Sequence, residues 1–440
     1  MLAAEPRERL APRLQSSVPA QGGKGRGLSI GILAHVGMQN LGDEIMYAAT
    51  VRYYRRRLPE ARLVGFSMNP ADTRARYGIE VHPIRPPGIR GSTSIAGGRF
   101  RAYLRTLGAT FPTAIREVRF AITSARTLRG LDMVIVPGSS QFIDGYGGPW
   151  GFPLALLRWT VFARAVRVPI CFLSLGAERL EHPLSRWMVR RTVHLANFIT
   201  LRDKVSRDRL AAQGVRRDIA IAPDLSLGYS VPLPDRGAIR RRPGTVGINP
   251  IPYYHGVFWR EVDEKRYRRY LGSMIELAAE VLRRGHRVIV YGTTQWADSV
   301  PARDIVDGLG GLFGPDVLER VSAPEVHTLE DLMRVLSAVD WVVASRYHGV
   351  ATALLMRKPV VGISYEQKTT DLMANVGLRE YSVSIDEMDG SSLAALLDAV
   401  QRNDVAIRKA LDVRARNGRT AVHAQYKQVL EKYTPNHSEI

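Results

Sequence analysis

The sequence predicts an α/β protein of two doubly wound parallel-sheet domains facing a cleft, and three observations carry that prediction. Short β-branched apolar runs alternate with longer amphipathic stretches, the pattern of βαβ units around a parallel sheet. The alternation breaks at YSVPLPDRGAIRRRPGT (229–245), rich in proline, glycine and arginine, and then restarts. A chain of 440 residues with 45% apolar content is long enough to bury two cores.

Residues 1–27 mix charge with small side chains and lack the apolar segment of a signal peptide, so they read as a disordered basic arm. The first set of buried strands is LSIGILAHV (28–36), ARLVGFSM (61–68), DMVIVPG (132–138), PICFLSLG (169–176), FITLR (198–202) and IAIAPD (219–224). It defines an N-terminal domain over 28–230, followed by a linker over 231–242. VGINPI (246–251), RVIVYGTT (287–294), WVVASR (341–346) and PVVGISY (359–365) are the second set, within a domain over 243–400. The amphipathic stretch from Ala406 to Tyr433 places helices in 401–440 that pack back across the domains.

The net charge of +20 points to nucleic acid, an anionic membrane surface or phosphorylated substrates, against the plain reading of solvated basic faces. Arginines fall in scattered groups (55–57, 190–191, 240–242, 283–284), with no zinc-finger or RNA-binding signature, which sets nucleic acid aside. The single cysteine, Cys171, lies in an apolar run, excluding a disulfide framework and a thiolate metal cluster and fitting a reducing cytoplasm. The longest apolar stretch (147–165) is interrupted by Pro153, Arg158 and Arg164, so it is expected to lie against a bilayer at most, not to span one.

Open parallel sheets bind ligands beyond the carboxyl ends of their strands, and four polar segments follow strands in this way. The first holds Asn40, Gly42, Asp43 and Glu44, a turn into a capped, acidic first helical turn. It lacks a dinucleotide or P-loop glycine pattern, and GLGGLFG (308–314) follows a helical stretch instead of a strand. The second, GSSQFID (138–144), combines a flexible loop with Asp144, which either handles a hydroxyl proton or shapes the turn before Gly145. In the third, Arg202 offers a donor fork to a carboxylate or phosphate, unless Asp203 or Asp224 takes it. The fourth is SRYHG (345–349), where Arg346 and His348 meet the start of a helix, a site for an oxyanion. The cationic neighbours are expected to lower the histidine pKa and keep the ring neutral near pH 7.

In this order the segments resemble the polysaccharide pyruvyl transferase family. Its pattern runs as an Asn-x-Gly-Asp-Glu turn, a glycine-rich loop after a strand, an Arg-Asp pair before a serine, and Arg-Leu-His followed by a helix and Tyr-x-x-Lys. The matching residues are Asn40 with Gly42, Asp43 and Glu44; Gly138 to Asp144; Arg202, Asp203 and Ser206; Arg346 to His348; and Tyr365 with Lys368, so the resemblance spans roughly 28–385. Two departures stand out: GSS replaces a run of three glycines, and Tyr347 replaces the leucine.

The resemblance implies two Rossmann-like domains of GT-B-like architecture, phosphoenolpyruvate as donor substrate, and a hydroxyl pair on an exopolysaccharide or cell-surface glycan as acceptor. Arg202, Arg346 and His348 would hold the donor, with Asn40, Asp43, Glu44, Ser139, Tyr365 and Lys368 on the acceptor side of the cleft. His348 is the expected general acid and Asp144 the expected base, with no cofactor or metal called for. The basic surface suits a lipid-linked acceptor at the inner face of an anionic membrane, reached from the cytoplasm. Two other readings stay open: a glycosyltransferase using a nucleotide sugar, and a non-catalytic sugar-binding relative.

Overall fold

The computed structural model describes residues 27–38, 40–86, 110–229, 243–259 and 261–434. The expected arm, save its last residue, and the expected linker lie outside the described residues.

The first sheet contains β1 (Ser29–Leu33), β2 (Arg62–Ser67), β3 (Glu80–Pro83), β4 (Met133–Pro137), β5 (Ile170–Leu175), β6 (Phe198–Leu201) and β7 (Ala220–Ile221). All its pairings are parallel, in the order β3-β2-β1-β4-β5-β6-β7. Strands β1, β4 and β5 are buried along their whole length, which is why they read as unbroken apolar runs. Helices α1 (Leu41–Arg57), α2 (Pro70–Tyr77), α3 (Thr110–Arg129), α4 (Phe152–Ala165), α5 (Pro183–Leu195) and α6 (Lys204–Ala212) connect them.

The second sheet repeats the topology with β8 (Thr245–Asn249), β9 (Arg287–Val290), β10 (Val321–Ser322), β11 (Trp341–Ala344), β12 (Val360–Ser364) and β13 (Ser382–Ser384), ordered β10-β9-β8-β11-β12-β13. Its helices are α7 (Glu264–Arg283), α8 (Gln295–Phe313), α9 (Leu329–Ala338), α10 (Tyr347–Leu355), α11 (Gln367–Asn375) and α12 (Gly390–Arg402). GLGGLFG falls at the end of α8 and beyond, so it is no phosphate loop. In each sheet the strand order reverses beside the first strand, between β1 and β4 and between β8 and β11, which opens a crevice at their carboxyl ends. Two parallel α/β domains with this topology form a GT-B-like architecture.

A long helix, α13 (Asp404–Tyr433), ties the halves together. Near its start Arg408 Nη2 donates to Asp340 O at 2.7 Å and Trp341 Nε1 donates to Asp404 Oδ1 at 2.9 Å, both in the second domain. Further along, Tyr426 shares a 2.8 Å hydrogen bond with Thr50, and Tyr433 Oη donates to Asn197 O at 2.8 Å, both in the first. The apolar stretch 147–165 is largely spent in the core. Trp159 is 1% exposed and donates to Ile84 O at 2.9 Å, while Trp150 and Val161 reach solvent. No helix among the described residues is long and apolar enough to cross a membrane. Cys171 sits buried in β5, and burial pushes its thiol pKa upward.

Candidate functional site

The two crevices face each other, and the first and last sequence motifs meet between them. Asn40 caps α1, accepting from Gly42 N at 3.2 Å and donating from Nδ2 to Asp43 Oδ2 at 2.9 Å. Gly42, in the first turn of that helix, lies directly against His348: a Cβ added there would stand 2.1 Å from the imidazole Cδ2 and Cγ. Only a glycine lets the helix approach the ring this closely. The neighbouring Leu41 N donates to Thr293 O of the second domain at 3.4 Å.

On the second domain, Arg346 precedes α10 as its N-cap residue and is 7% exposed. Its Nε and Nη2 both donate to Asp298 Oδ1, at 2.9 and 2.5 Å. Asp298, fully buried on α8, accepts from Thr293 N and Thr294 N through its other oxygen at 2.9 Å each. The guanidinium also lies 4.4 Å from the centre of the Phe258 ring. Gly349, just inside α10, packs on Asn249 at the end of β8, whose Oδ1 would be 1.9 Å from an added Cβ.

From the first domain, Arg202 enters at the end of β6. Its Nη2 donates to Ser140 Oγ at 2.9 Å and its Nε to Asp203 Oδ2 at 3.2 Å, with Asp224 Oδ2 3.8 Å from Nη1. The Tyr347 ring of the second domain lies 5.2 Å from its guanidinium carbon. Lys368, on α11, pairs with Glu366 at 2.5 Å and reaches across to Glu178 of the first domain at 3.9 Å. Each of these cations is thus held in place by carboxylates. The pairs on Lys368 are the more open to solvent, and the Arg346–Asp298 pair is closed.

The titratable groups between these cations are displaced in opposite directions. Burial, then Lys368, Arg202 and Arg346, pull the His348 pKa down to about 3, so the ring is neutral near pH 7, in the direction the sequence suggests. Burial pushes the Asp43 carboxyl up to about 7; Glu44 and Asp224 add to the rise, against a hydrogen bond with Ser139 and the charge of Arg202. Near neutrality Asp43 is therefore the group poised to give up a proton, while His348 offers a neutral N–H.

Other expected residues have different surroundings. Glu44 is 1% exposed and has both oxygens engaged, accepting from Gly37 N and from Tyr77 Oη at 2.8 Å each. Asp144, the expected base, has both oxygens engaged: Glu181 N donates to Oδ1 at 3.2 Å and His182 N to Oδ2 at 3.0 Å. With 7% exposure it braces the loop after β5, while Asp43 and His348 lie in the cleft with shifted pKa values. Ser139 bonds Asp43, and Tyr365 is partly buried and feels the charges of Lys368 and Arg346. Sequence reasoning passed over Asp298, which sits on a helix with no motif around it, and Tyr347, which it treated only as a departure from a pattern. A buried arginine demands a counterion, so an acidic partner for Arg346 was foreseeable, though not which one.

Similarity to known proteins adds four findings. A family model described as polysaccharide pyruvyl transferase matches residues 40–367. The amylovoran biosynthesis protein AmsJ of Erwinia amylovora is 24% identical over 317 residues, covering 65% of this chain and 70% of that protein. Among solved structures, Anabaena HepE in complex with UDP superposes with a TM-score of 0.52 at 13% identity, covering 92% of this chain and 100% of that one. A UDP-GlcNAc 2-epimerase from Neisseria meningitidis bound to UDP-GlcNAc gives a TM-score of 0.54 at 11% identity, covering 92% and 99%. At these identities the structural likeness is one of fold.

Proposed function

Because the chain belongs to the polysaccharide pyruvyl transferase family, we propose that it moves pyruvate from phosphoenolpyruvate onto a hydroxyl pair of a glycan, making a ketal and releasing phosphate. The observation that carries this reading is the convergence of Arg202, Arg346 and Lys368 on a cleft that also holds a carboxyl group with a pKa of about 7. A small, multiply charged anion needs the cations, and its enol carbon needs a proton donor.

In this reading Arg346 and the N-terminal turn of α10 receive the carboxylate or phosphate, and Lys368 turns from its exposed carboxylates to the donor. His348 donates a hydrogen bond from its neutral ring. Asp43 protonates the methylene carbon, leaving positive charge on the adjacent carbon, which a sugar hydroxyl attacks. The proton released by that hydroxyl returns to the Asp43 carboxylate. The carbon–oxygen bond to phosphate then breaks, the second hydroxyl closes the ketal, and its proton leaves with the phosphate. One proton is gained by carbon and two are lost by the hydroxyls, so the balance closes with hydrogen phosphate as the product.

Fold likeness to a protein solved with UDP favours a second reading, a glycosyltransferase using a nucleotide sugar. Thermal denaturation with phosphoenolpyruvate, several nucleotide sugars and phosphate separates the two, since a ligand that binds the folded state raises its stability. Stabilisation specific to phosphoenolpyruvate and lost in Lys368→Ala is the expected result. Stabilisation by a nucleotide sugar alone would move the protein to the glycosyltransferases.

A further inference from the structure

Beside the cleft, the first domain carries an open pocket of about 790 Å³ lined by Arg179, Arg186, Arg190 and Arg209, with Gln213 and the first turn of α5. No acidic residue lines it. Among the described residues none of the four arginines forms an ion pair, in contrast to the arginines of the cleft. Two of them are nevertheless fixed. Arg186 donates from Nε to Leu180 O and from Nη2 to Glu181 O at 3.0 Å each, and Arg209 Nη1 donates to Ala177 O at 3.2 Å. Bonds to carbonyls orient a guanidinium without neutralising it, so the pocket keeps its positive charge and part of each donor fork. The nearby acids turn elsewhere: Glu178 reaches Lys368, Asp208 pairs with Arg207 at 3.8 Å, and Glu181 extends into solvent.

The pocket and the cleft share one loop. Near the end of β5 the pairing with β6 shifts register, and Ser174 takes a left-handed φ of 52°, held by Thr200 Oγ1, which accepts from its N–H at 2.7 Å. A bulge of this kind bends a strand and re-aims the segment beyond it. Here that segment is the loop 176–182, which presents Glu178 to Lys368 in the cleft and Arg179 to the pocket. Gln213 fastens it from below, accepting from Leu180 N at 3.0 Å and donating to Glu178 O at 3.2 Å.

We propose that this pocket binds the diphosphate group of a carrier-linked acceptor, anchoring it while the sugar reaches the cleft; the acceptor assignment rests on the proposed glycan-modifying function. Four guanidinium forks exceed what one phosphate can use and match the oxygens of two. The volume also leaves room for the first atoms attached at either end of a diphosphate.

The test is calorimetric titration of the full chain with inorganic pyrophosphate at low salt. Binding is expected, weakened roughly tenfold or more in an R179E/R190E double variant, which removes two of the four forks and leaves both backbone-fixed arginines in place. The variant should keep the wild-type melting temperature and its stabilisation by phosphoenolpyruvate. Lys368→Ala should do the reverse, losing phosphoenolpyruvate and keeping pyrophosphate, so failure of the donor reading is told apart from failure of this one. Phosphatidylcholine vesicles doped with phosphatidylglycerol supply the other source of phosphate. Sedimentation with them that is lost in R179E/R190E yet not displaced by pyrophosphate would assign the pocket to membrane headgroups and overturn the proposal. Absence of pyrophosphate binding, or equal binding by the double variant, would overturn it as well.

Discussion

Replacing Gly42 by alanine sets local stability and the site against each other. An added Cβ would stand 2.1 Å from Cδ2 and Cγ of His348 and 2.2 Å from Nε2, so the clash involves the root of the ring and not just a mobile tip. Carbon atoms rest about 3.5–4.0 Å apart, so helix and ring must separate by about 1.5 Å, through rotation of the histidine or parting of the domains. Either movement takes His348 out of its place between Lys368, Arg202 and Arg346. In α1 itself the same change is favourable, since alanine exceeds glycine in helix stability by up to about 1 kcal/mol. The expected outcome is an unchanged or slightly raised melting temperature together with a loss of about 100-fold in pyruvate transfer, the cost of misplacing a reacting group by an ångström. Transfer from phosphoenolpyruvate to the glycolipid fraction of source cells, beside thermal denaturation, measures both. Transfer within threefold of wild type would refute the claim that the Gly42–His348 contact builds the site.

Three further expectations rest on the same geometry. Asp43→Asn should lower transfer by about 10²–10⁴, and wild-type kcat/KM should fall as pH rises through about 7, the pH at which Asp43 loses its proton. Because the folded pKa lies above the unfolded value of 3.8, Asp43 contributes fully below that value and its contribution is lost as pH rises through about 7. Asp43→Asn should therefore melt above wild type at pH 8 and show no such gain near pH 4, as differential scanning calorimetry would record. Arg346→Ala strands the buried Asp298 carboxylate and should cost about 3–5 kcal/mol in urea denaturation; adding Asp298→Ala should recover part of that loss, giving a nonzero coupling in the double-mutant cycle. Glu366→Gln releases Lys368 from a partly exposed pair, a kind of pair worth up to about 1 kcal/mol, and should tighten phosphoenolpyruvate binding by up to about fivefold, read by titration.

Much of the framework was legible because it is written locally. Strands buried on both faces read as short runs rich in β-branched apolar residues, as at Met133–Pro137 and Val360–Ser364. The strands that escaped notice, Glu80–Pro83, Val321–Ser322 and Ser382–Ser384, are short and carry polar residues, and they are recognisable only once a neighbouring strand is there to pair with. At the site, Asn40, Arg202, Arg346, His348 and Lys368 could be named because each follows a strand or begins a helix. Asp144 shows the limit: an aspartate before a glycine looks alike whether it meets a hydroxyl or two backbone amides. The amides that occupy it belong to a loop more than thirty residues further along.

Side-chain period, capping residues and loop composition act over a few residues, and they were enough to specify two doubly wound sheets and the loops that carry chemistry. Partners and protonation states arise differently. Arg346 finds Asp298 across 48 residues, and Gly42 meets His348 only because the two sheets pack with their crevices opposed. The Asp43 carboxyl near 7 is a product of lost water and of first-domain charges distant in sequence, and the His348 ring near 3 of lost water and of charges brought together from both domains. Desolvation and Coulomb energy depend on distance through space, which the order of residues along a chain does not contain.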